Sequence, residues 1–181
     1  MNSMKTYHIF LGSSIQEPVS YDRCAVGNFI RKINDALREY GTDLYLYLFL
    51  CELGDPSFTP GKRLEKQQEY DDLIMTETDL FLNLYHNKAG SYTRREYEVA
   101  QAALASEDIL VMFRTDTAPD TTITELQAQL QEHGQPYAFY DHIDQVKLAL
   151  VRWLQRKEPN VPMSVENGRV IIGNSMVLHC N

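Results

Sequence analysis

The alternation of short apolar runs with longer stretches of helical spacing, from residue 7 to residue 156, most limits what this chain can fold into. Residues 7–11, 44–51, 80–85, 109–113 and 137–140 read as strands. Residues 21–40, 63–76, 94–105, 121–133 and 143–156 carry apolar side chains three and four apart, as helices do. In the first helix these are Val26, Phe29, Ile30, Ile33 and Leu37, with Gly41 as the stop. Tyr70, Leu73 and Ile74 supply the apolar face of the second, and Val146, Leu150, Trp153 and Leu154 that of the last. Strands separated by helices are joined by crossovers, so the pattern predicts a parallel sheet covered on both faces. The continuous apolar run 44–51 is expected to be a central strand of that sheet.

At 181 residues the chain is long enough to bury a substantial core in one α/β domain over residues 1–158. A net charge of −8, with basic residues only in short groups such as Lys62-Arg63 and Arg94-Arg95, argues against a nucleic-acid partner. Cys24, Cys51 and Cys180 are odd in number and far apart, which fits a reducing cytoplasm better than a disulfide framework. The start of the chain has no hydrophobic signal region, and the apolar run 44–51 is too short to span a bilayer, so no membrane partner is expected. His8, His86, His133, His142 and His179 show no metal-ligand spacing, so no metal is expected.

The last residues, 159–181, read as a separate short β extension. Val165, Val170 and Ile172 alternate around Asn167-Gly168, a strong two-residue hairpin signal. An isolated hairpin cannot bury its own apolar face, so this one must pack on something. The expected partner is a sheet edge, its own or that of a second copy, and a homo-oligomer follows from the latter.

Candidate chemistry centres on Gly90-Ser91-Tyr92-Thr93-Arg94-Arg95-Glu96, which follows the strand at 80–85 and opens a helix. Thr93 and Glu96 have capping-box spacing, making Thr93 an N-cap candidate and placing Glu96 in the first turn. A strand followed by a loop and a helix N-terminus puts that turn at the carboxyl edge of a parallel sheet, where ligands bind. Two roles are open to Glu96: a helix-capping carboxylate, or one that stabilises or attacks a sugar cation. Glu98 is two residues on, so it points elsewhere on the helix, to solvent or to Arg94. The loop Gly12-Ser13-Ser14-Ile15-Gln16 follows the first strand at the same edge, and its small residues admit a ribose or phosphate. Glu52, after the second strand, is either a loop cap or a ribose ligand. Tyr92 and Tyr97 flank the turn, and one of them is a candidate for stacking on a base. Asp79, ahead of the third strand, lies at the opposite edge and reads as structural.

The segment Thr93-x-x-Glu96-x-x-x-Ala100, entered from a strand preceded by Asp79, resembles the motif of nucleoside 2-deoxyribosyltransferases, although Ser91-Tyr92 is inserted between the glycine and the threonine. With 8–14, 49–52, Gln68-x-Tyr70-x-x-x-Ile74 and 79–82, the wider chain is similar to bacterial Toll/interleukin-receptor (TIR)-like domains over residues 5–150. That resemblance implies a flavodoxin-like, doubly wound α/β fold plus the C-terminal hairpin. It also implies cleavage of the nicotinamide–ribose bond of NAD by Glu96, in prokaryotic signalling or defence. Gly12, Ser13, Ser14, Gln16, Glu52, Tyr92 and Thr93 would then bind a nucleotide or nucleoside. NAD would be a substrate, and no cofactor is implied. The alternatives are deoxyribosyl transfer and a non-catalytic self-association module. On any enzymatic reading the Glu96 carboxylate is expected in an open cleft beside the 12–16 loop.

Overall fold

The computed structural model describes residues 4–13, 18–50, 60–116 and 118–180. The elements run β1 (Lys5–Ser13), α1 (Val19–Tyr40), β2 (Leu44–Leu50), α2 (Pro60–Thr76), β3 (Leu80–Tyr85) and α3 (Ser91–Ala103). They continue with β4 (Ile109–Arg114), α4 (Thr121–Glu132), β5 (Tyr137–Tyr140) and α5 (Ile143–Lys157). Three short strands end the chain: β6 (Met163–Glu166), β7 (Arg169–Ile172) and β8 (Ser175–His179). The first five strands form one parallel sheet in the order β2-β1-β3-β4-β5. That order is the flavodoxin-like one, and its switch point lies between β1 and β3.

Strand alternation sorts the core into two layers. Ile9, Leu11, Leu80, Leu82, Leu84 and Met112 face α1 and α5. Phe10, Phe81, Tyr85, Val111 and Phe113 face the other way, against Tyr70 and Ile74 of α2, Tyr97 and Ala100 of α3, and Ile123, Leu126 and Leu130 of α4. All six residues of β3 are buried, as a central strand between two helical layers requires. The helices end where their chemistry dictates. Gly41 takes φ +86° and closes α1 with its N–H on the Arg38 and Leu37 carbonyls, while the Asp120 carboxylate caps α4 through the Thr122 and Ile123 N–H groups.

β2 is not the central strand that its composition suggests. It pairs only with β1, at the sheet edge. Its side chains alternate, with Leu44 and Leu46 buried and Tyr45 and Tyr47 exposed by 40% and 47%. Tyrosine makes the run look uniformly apolar, yet each phenol keeps one end in water. Asp79 is structural as expected. Its carboxylate accepts the His8 N–H at 2.8 Å, and its own N–H donates to the His8 carbonyl at 2.8 Å.

The tail also departs from expectation. The hairpin at Asn167-Gly168 forms, with Asn167 at φ +50° and Gly168 at φ +73°, but it pairs with β8 in a separate three-stranded antiparallel sheet. It adds to no edge of the main sheet. Val170, Ile172, Val177 and Leu178 instead enter the core layer of α1 and α5. Val165, on the edge strand β6, is 36% exposed although it shares a sheet face with its pairing partner Val170. The Gly173 turn lies on Tyr40, where a Cβ would stand 2.7 Å from the ring, and Ser175 donates to Glu39 at 2.6 Å. No helix among the described residues is long and apolar enough to cross a membrane.

Because Ile172 is fully buried against the outer side of α1, Ile172→Ala is expected to cost about 2–5 kcal/mol. Urea unfolding followed by circular dichroism checks this. A cost below about 1 kcal/mol would mean that the tail sheet is only loosely attached.

Candidate active site

α3 starts earlier than its sequence suggests. Its N-cap is Gly90, so Ser91 and Tyr92 open the first turn, and no side chain caps it. Thr93 is therefore not the cap, and Glu96 sits in the second turn, beyond capping reach. The capping-box spacing was misleading because Gly90, with extended φ −68° and ψ 153°, lets the chain enter the helix three residues sooner. Glu96 is buried with Tyr97 and Ala100 on the face that meets the sheet.

Beneath it lie Gly12 of β1 and Asn83 of β3, adjacent at one register position. Both have the same parity as Phe10, Phe81 and Tyr85, so both face α3. Gly12 makes room for the acid. A Cβ there would lie 3.0 Å from Glu96 Oε2, 3.4 Å from Phe81 Cζ and 3.5 Å from Asn83 Oδ1. The carboxylate thus stands directly over the end of β1, at the switch point, as anticipated. It does not stand in an open cleft: Glu96 is 2% exposed and Asn83 0%.

Two arginines set the rotation of α3. Arg95 Nε and Nη2 reach Asp71 Oδ2 of α2 at 2.8 and 2.7 Å, and Asp71, only 4% exposed, also accepts from Gln67 at 3.0 Å. On the other side Arg94 meets Glu125 at 3.6 Å and Gln129 at 3.4 Å, both of α4. Glu98 is exposed, and Arg94 turns to α4 instead of to it. The basic pair is therefore engaged in bracing the helix.

Of the other residues singled out by sequence, Ser13 is buried and its hydroxyl accepts from Arg23 of α1 at 2.9 Å. Its face is that of α1, opposite Gly12. Tyr92 is 41% exposed on the first turn of α3, and Thr93 is half-buried with its carbonyl toward Asn83 and Tyr85. Tyr97 is a core residue at 0% exposure and has no free face for a base. Burial pushes its phenol pKa up. Ser14, Gln16 and Glu52 lie outside the described residues. Among the described residues no cluster of His, Cys, Asp and Glu is placed to hold a metal ion.

Sequence reading missed an ionic chain along the same edge. Arg114, at the end of β4, donates to both Asp22 oxygens of α1, at 3.0 and 2.8 Å, and to Asp116 at 2.6 Å. His86, after β3, lies 2.8 Å from Asp116, and Tyr140, at the end of β5, donates to Asp22 at 2.9 Å. Burial works against the Arg114 charge, yet hydrogen bonds to Asp116 and Asp22 outweigh it and hold its pKa above the ordinary value. The balance is the same for Asp116, where burial raises the pKa but hydrogen bonds from Arg114 and His86 bring it below 3.8. The available signal was positional: each of His86, Arg114 and Tyr140 ends or follows a strand at the carboxyl edge of the sheet. Asn83 also had a signal, as the one polar residue in the apolar run 80–85.

No protein-family model matches the chain, and no curated protein does. Solved structures match at low identity. A flavodoxin-like domain from Synechococcus sp. is 13% identical with a TM-score of 0.43, over 82% of this chain and 99% of that one. A diflavin flavoprotein A3 from Nostoc sp. is 11% identical with a TM-score of 0.42, over 87% and 98%. The Flv1 flavodiiron core from Synechocystis sp. is 10% identical with a TM-score of 0.42, over 76% of this chain but only 30% of that chain.

Two outcomes test this geometry. Gly12→Ala is expected to fold but to displace the Glu96 side chain by a few tenths of an ångström, since a Cβ at 3.0 Å is tighter than most real contacts. A crystal structure of the variant with Glu96 unmoved would contradict the tight fit. Asp116 has a lowered pKa, so its stabilising share is complete above 3.8 and is lost as the pH falls through the lower folded value. Asp116→Asn should therefore flatten the acid limb of the stability curve below about pH 4 and leave its slope near neutrality unchanged, as read by urea midpoints across pH.

Proposed function

We propose that this chain cleaves the N-glycosidic bond between nicotinamide and ribose in NAD, with Glu96 as the catalytic carboxylate. The observation that carries this reading is the place of that acid. Glu96 Oε2 lies 3.0 Å from where a Gly12 Cβ would be, over the end of β1 at the sheet's switch point. Nicotinamide is cationic before it leaves, so it takes the C1′–N electron pair without a general acid. The ribose left behind is an oxocarbenium-like cation, which a carboxylate stabilises electrostatically or captures. Water then adds to C1′ and releases a proton, giving ADP-ribose. A carboxylate in a water-poor pocket acts more strongly on that cation than one in solvent. At 2% exposure, Glu96 meets a substrate only when entry displaces the atoms over it.

Gly12 would line the sugar side. The exposed Tyr92 ring offers a stacking surface for a base. The likeness of the motif around Glu96 to TIR-like domains supports this reading and a cytoplasmic role in prokaryotic signalling or defence. Deoxyribosyl transfer would use the same carboxylate on a deoxynucleoside. One observation favours a self-association role beside or instead of catalysis: β2 is an edge strand with Tyr45 and Tyr47 exposed, and unpaired edges recruit further copies.

The deciding experiment incubates the protein with NAD, and separately with a deoxynucleoside and a free base, and measures nicotinamide or exchanged base. Glu96→Gln is expected to abolish nicotinamide release while melting no lower than the parent, since the amide keeps the shape and removes a buried charge. Glu98→Gln, altering an exposed residue, should retain activity within about twofold. Equal loss in both variants would remove Glu96 from the mechanism. Inactivity on all substrates, with assembly that grows with concentration, would leave the module reading in its place.

A further inference from the structure

The main sheet ends in two edges, β2 and β5, and they are not equally open. At β2 a side chain of α1 takes the place of a neighbouring strand. Asn34 Nδ2 donates to the Leu46 carbonyl at 2.8 Å, and the Leu46 N–H donates to Asn34 Oδ1 at 2.8 Å. A strand can add at the middle of β2 only by breaking both bonds, so Tyr45 and Tyr47 lie on a guarded edge. Nothing comparable covers β5 among the described residues. The Thr115 N–H donates to the Tyr140 carbonyl at 3.0 Å, with Tyr140 opposite Arg114 in the register, so the Tyr140 backbone points at β4. Successive residues of a strand turn their N–H and C=O groups to alternate sides. Ala138 therefore also faces β4, while Tyr137 and Phe139 present their backbone groups outward. β5 carries no charge, proline or bulge, common means of blunting an edge. Its side chains are open as well, with Phe139 at 55% exposure and Ala138 exposed.

We infer that β5 is the self-association edge of this chain, pairing antiparallel with β5 of a second copy about a two-fold axis at Ala138, so that two five-stranded sheets become one. The strand matches itself in that register. Tyr137 falls opposite the partner's Phe139, and Phe139 opposite the partner's Tyr137. These are the outward-facing residues, so each pair exchanges backbone hydrogen bonds in both directions. Tyr137 and Phe139 share one face, where both rings lie against Phe113 of β4 with centroids at 5.4 and 6.1 Å. The pairing therefore sets aromatic rings opposite aromatic rings, a favourable cross-strand combination. On the other face Ala138 meets its own copy at a position without mutual backbone bonds, where strands approach most closely and a small side chain fits. Beside it a groove of about 260 Å³ runs between β4, β5 and α5, lined in part by Leu110, Met112, Ala138 and Ala149. Glu107 and Arg156 also line it, and one anion with one cation on the same patch lets two copies meet without like-charge repulsion. A two-fold contact must match its own surface, which is what this strand does. The inference concerns assembly alone and stands apart from NAD cleavage.

The test measures molar mass in solution by sedimentation equilibrium over a concentration series, for the full chain and for Phe139→Lys and Tyr45→Lys. Mild oxidation of Ala138→Cys is run alongside. The parent is expected to pass from one chain to two as its concentration rises. Phe139→Lys, altering an exposed side chain, should weaken association by at least about tenfold, while Tyr45→Lys should associate as the parent does. Ala138→Cys should cross-link to a dimer beyond anything the parent's own cysteines give, a readout that does not depend on how Phe139→Lys folds. A parent that stays a single chain up to about 1 mM overturns the inference. So does association that Tyr45→Lys weakens as much as Phe139→Lys or more, which would assign it to β2. Association without cross-linking of Ala138→Cys places the axis elsewhere and also overturns it. Each of these results is compatible with nicotinamide release or its absence, so failure here and failure of the N-glycosidase reading are separate.

Discussion

The seating of α3 on the seam between β1 and β3 governs the rest of this structure. Strand parity turns Phe10, Gly12, Phe81, Asn83 and Tyr85 toward one layer, and α3 must cover them with whatever its own inward face carries. Tyr97 and Ala100 supply apolar cover, and Glu96 supplies a carboxylate where a hydrophobe would pack without cost. The helix comes this close because β1 carries glycine at the point of contact. Arg95 on Asp71 and Arg94 on Glu125 lock its rotation from both sides. A slip of one residue around the helix axis, about 100°, would swing Glu96 out and bring an arginine or Tyr97 over Gly12.

The carboxyl edge is organised by charge rather than by packing. Asp22, Arg114, Asp116 and His86, with the Tyr140 hydroxyl, link the first turn of α1 to the ends of β3, β4 and β5. Asp22, Arg114 and Tyr140 lose hydration on burial and recover it through charge-assisted hydrogen bonds to one another.

The C-terminal sheet solves a different problem. α1 carries one continuous buried stripe, including Val26, Phe29, Ile30, Ile33 and Leu37. Val170, Ile172, Val177 and Leu178 join the core layer that this stripe helps to form. Three short strands suffice where two would not, because the meander presents a wider apolar face than a lone hairpin.

Residue order alone determined the parallel α/β class and nearly every element, because periodicities of two and of 3.6 are local and survive any rearrangement of distant parts. It equally marked the turn at Asn167-Gly168 and the structural place of Asp79. Tertiary structure decided the rest. Whether 44–51 lies at the centre or the edge depends on which strands flank it, and tyrosine suits both. Whether Thr93 or Gly90 caps α3 depends on the extended backbone that Gly90 takes where the chain leaves β3. The pairing of Gly12 with Asn83, residues 71 positions apart, is a matter of sheet register, and so is the convergence of Arg114, Asp116 and Asp22. No window of neighbouring residues contains such contacts, since the groups that make them meet only once the sheet has closed.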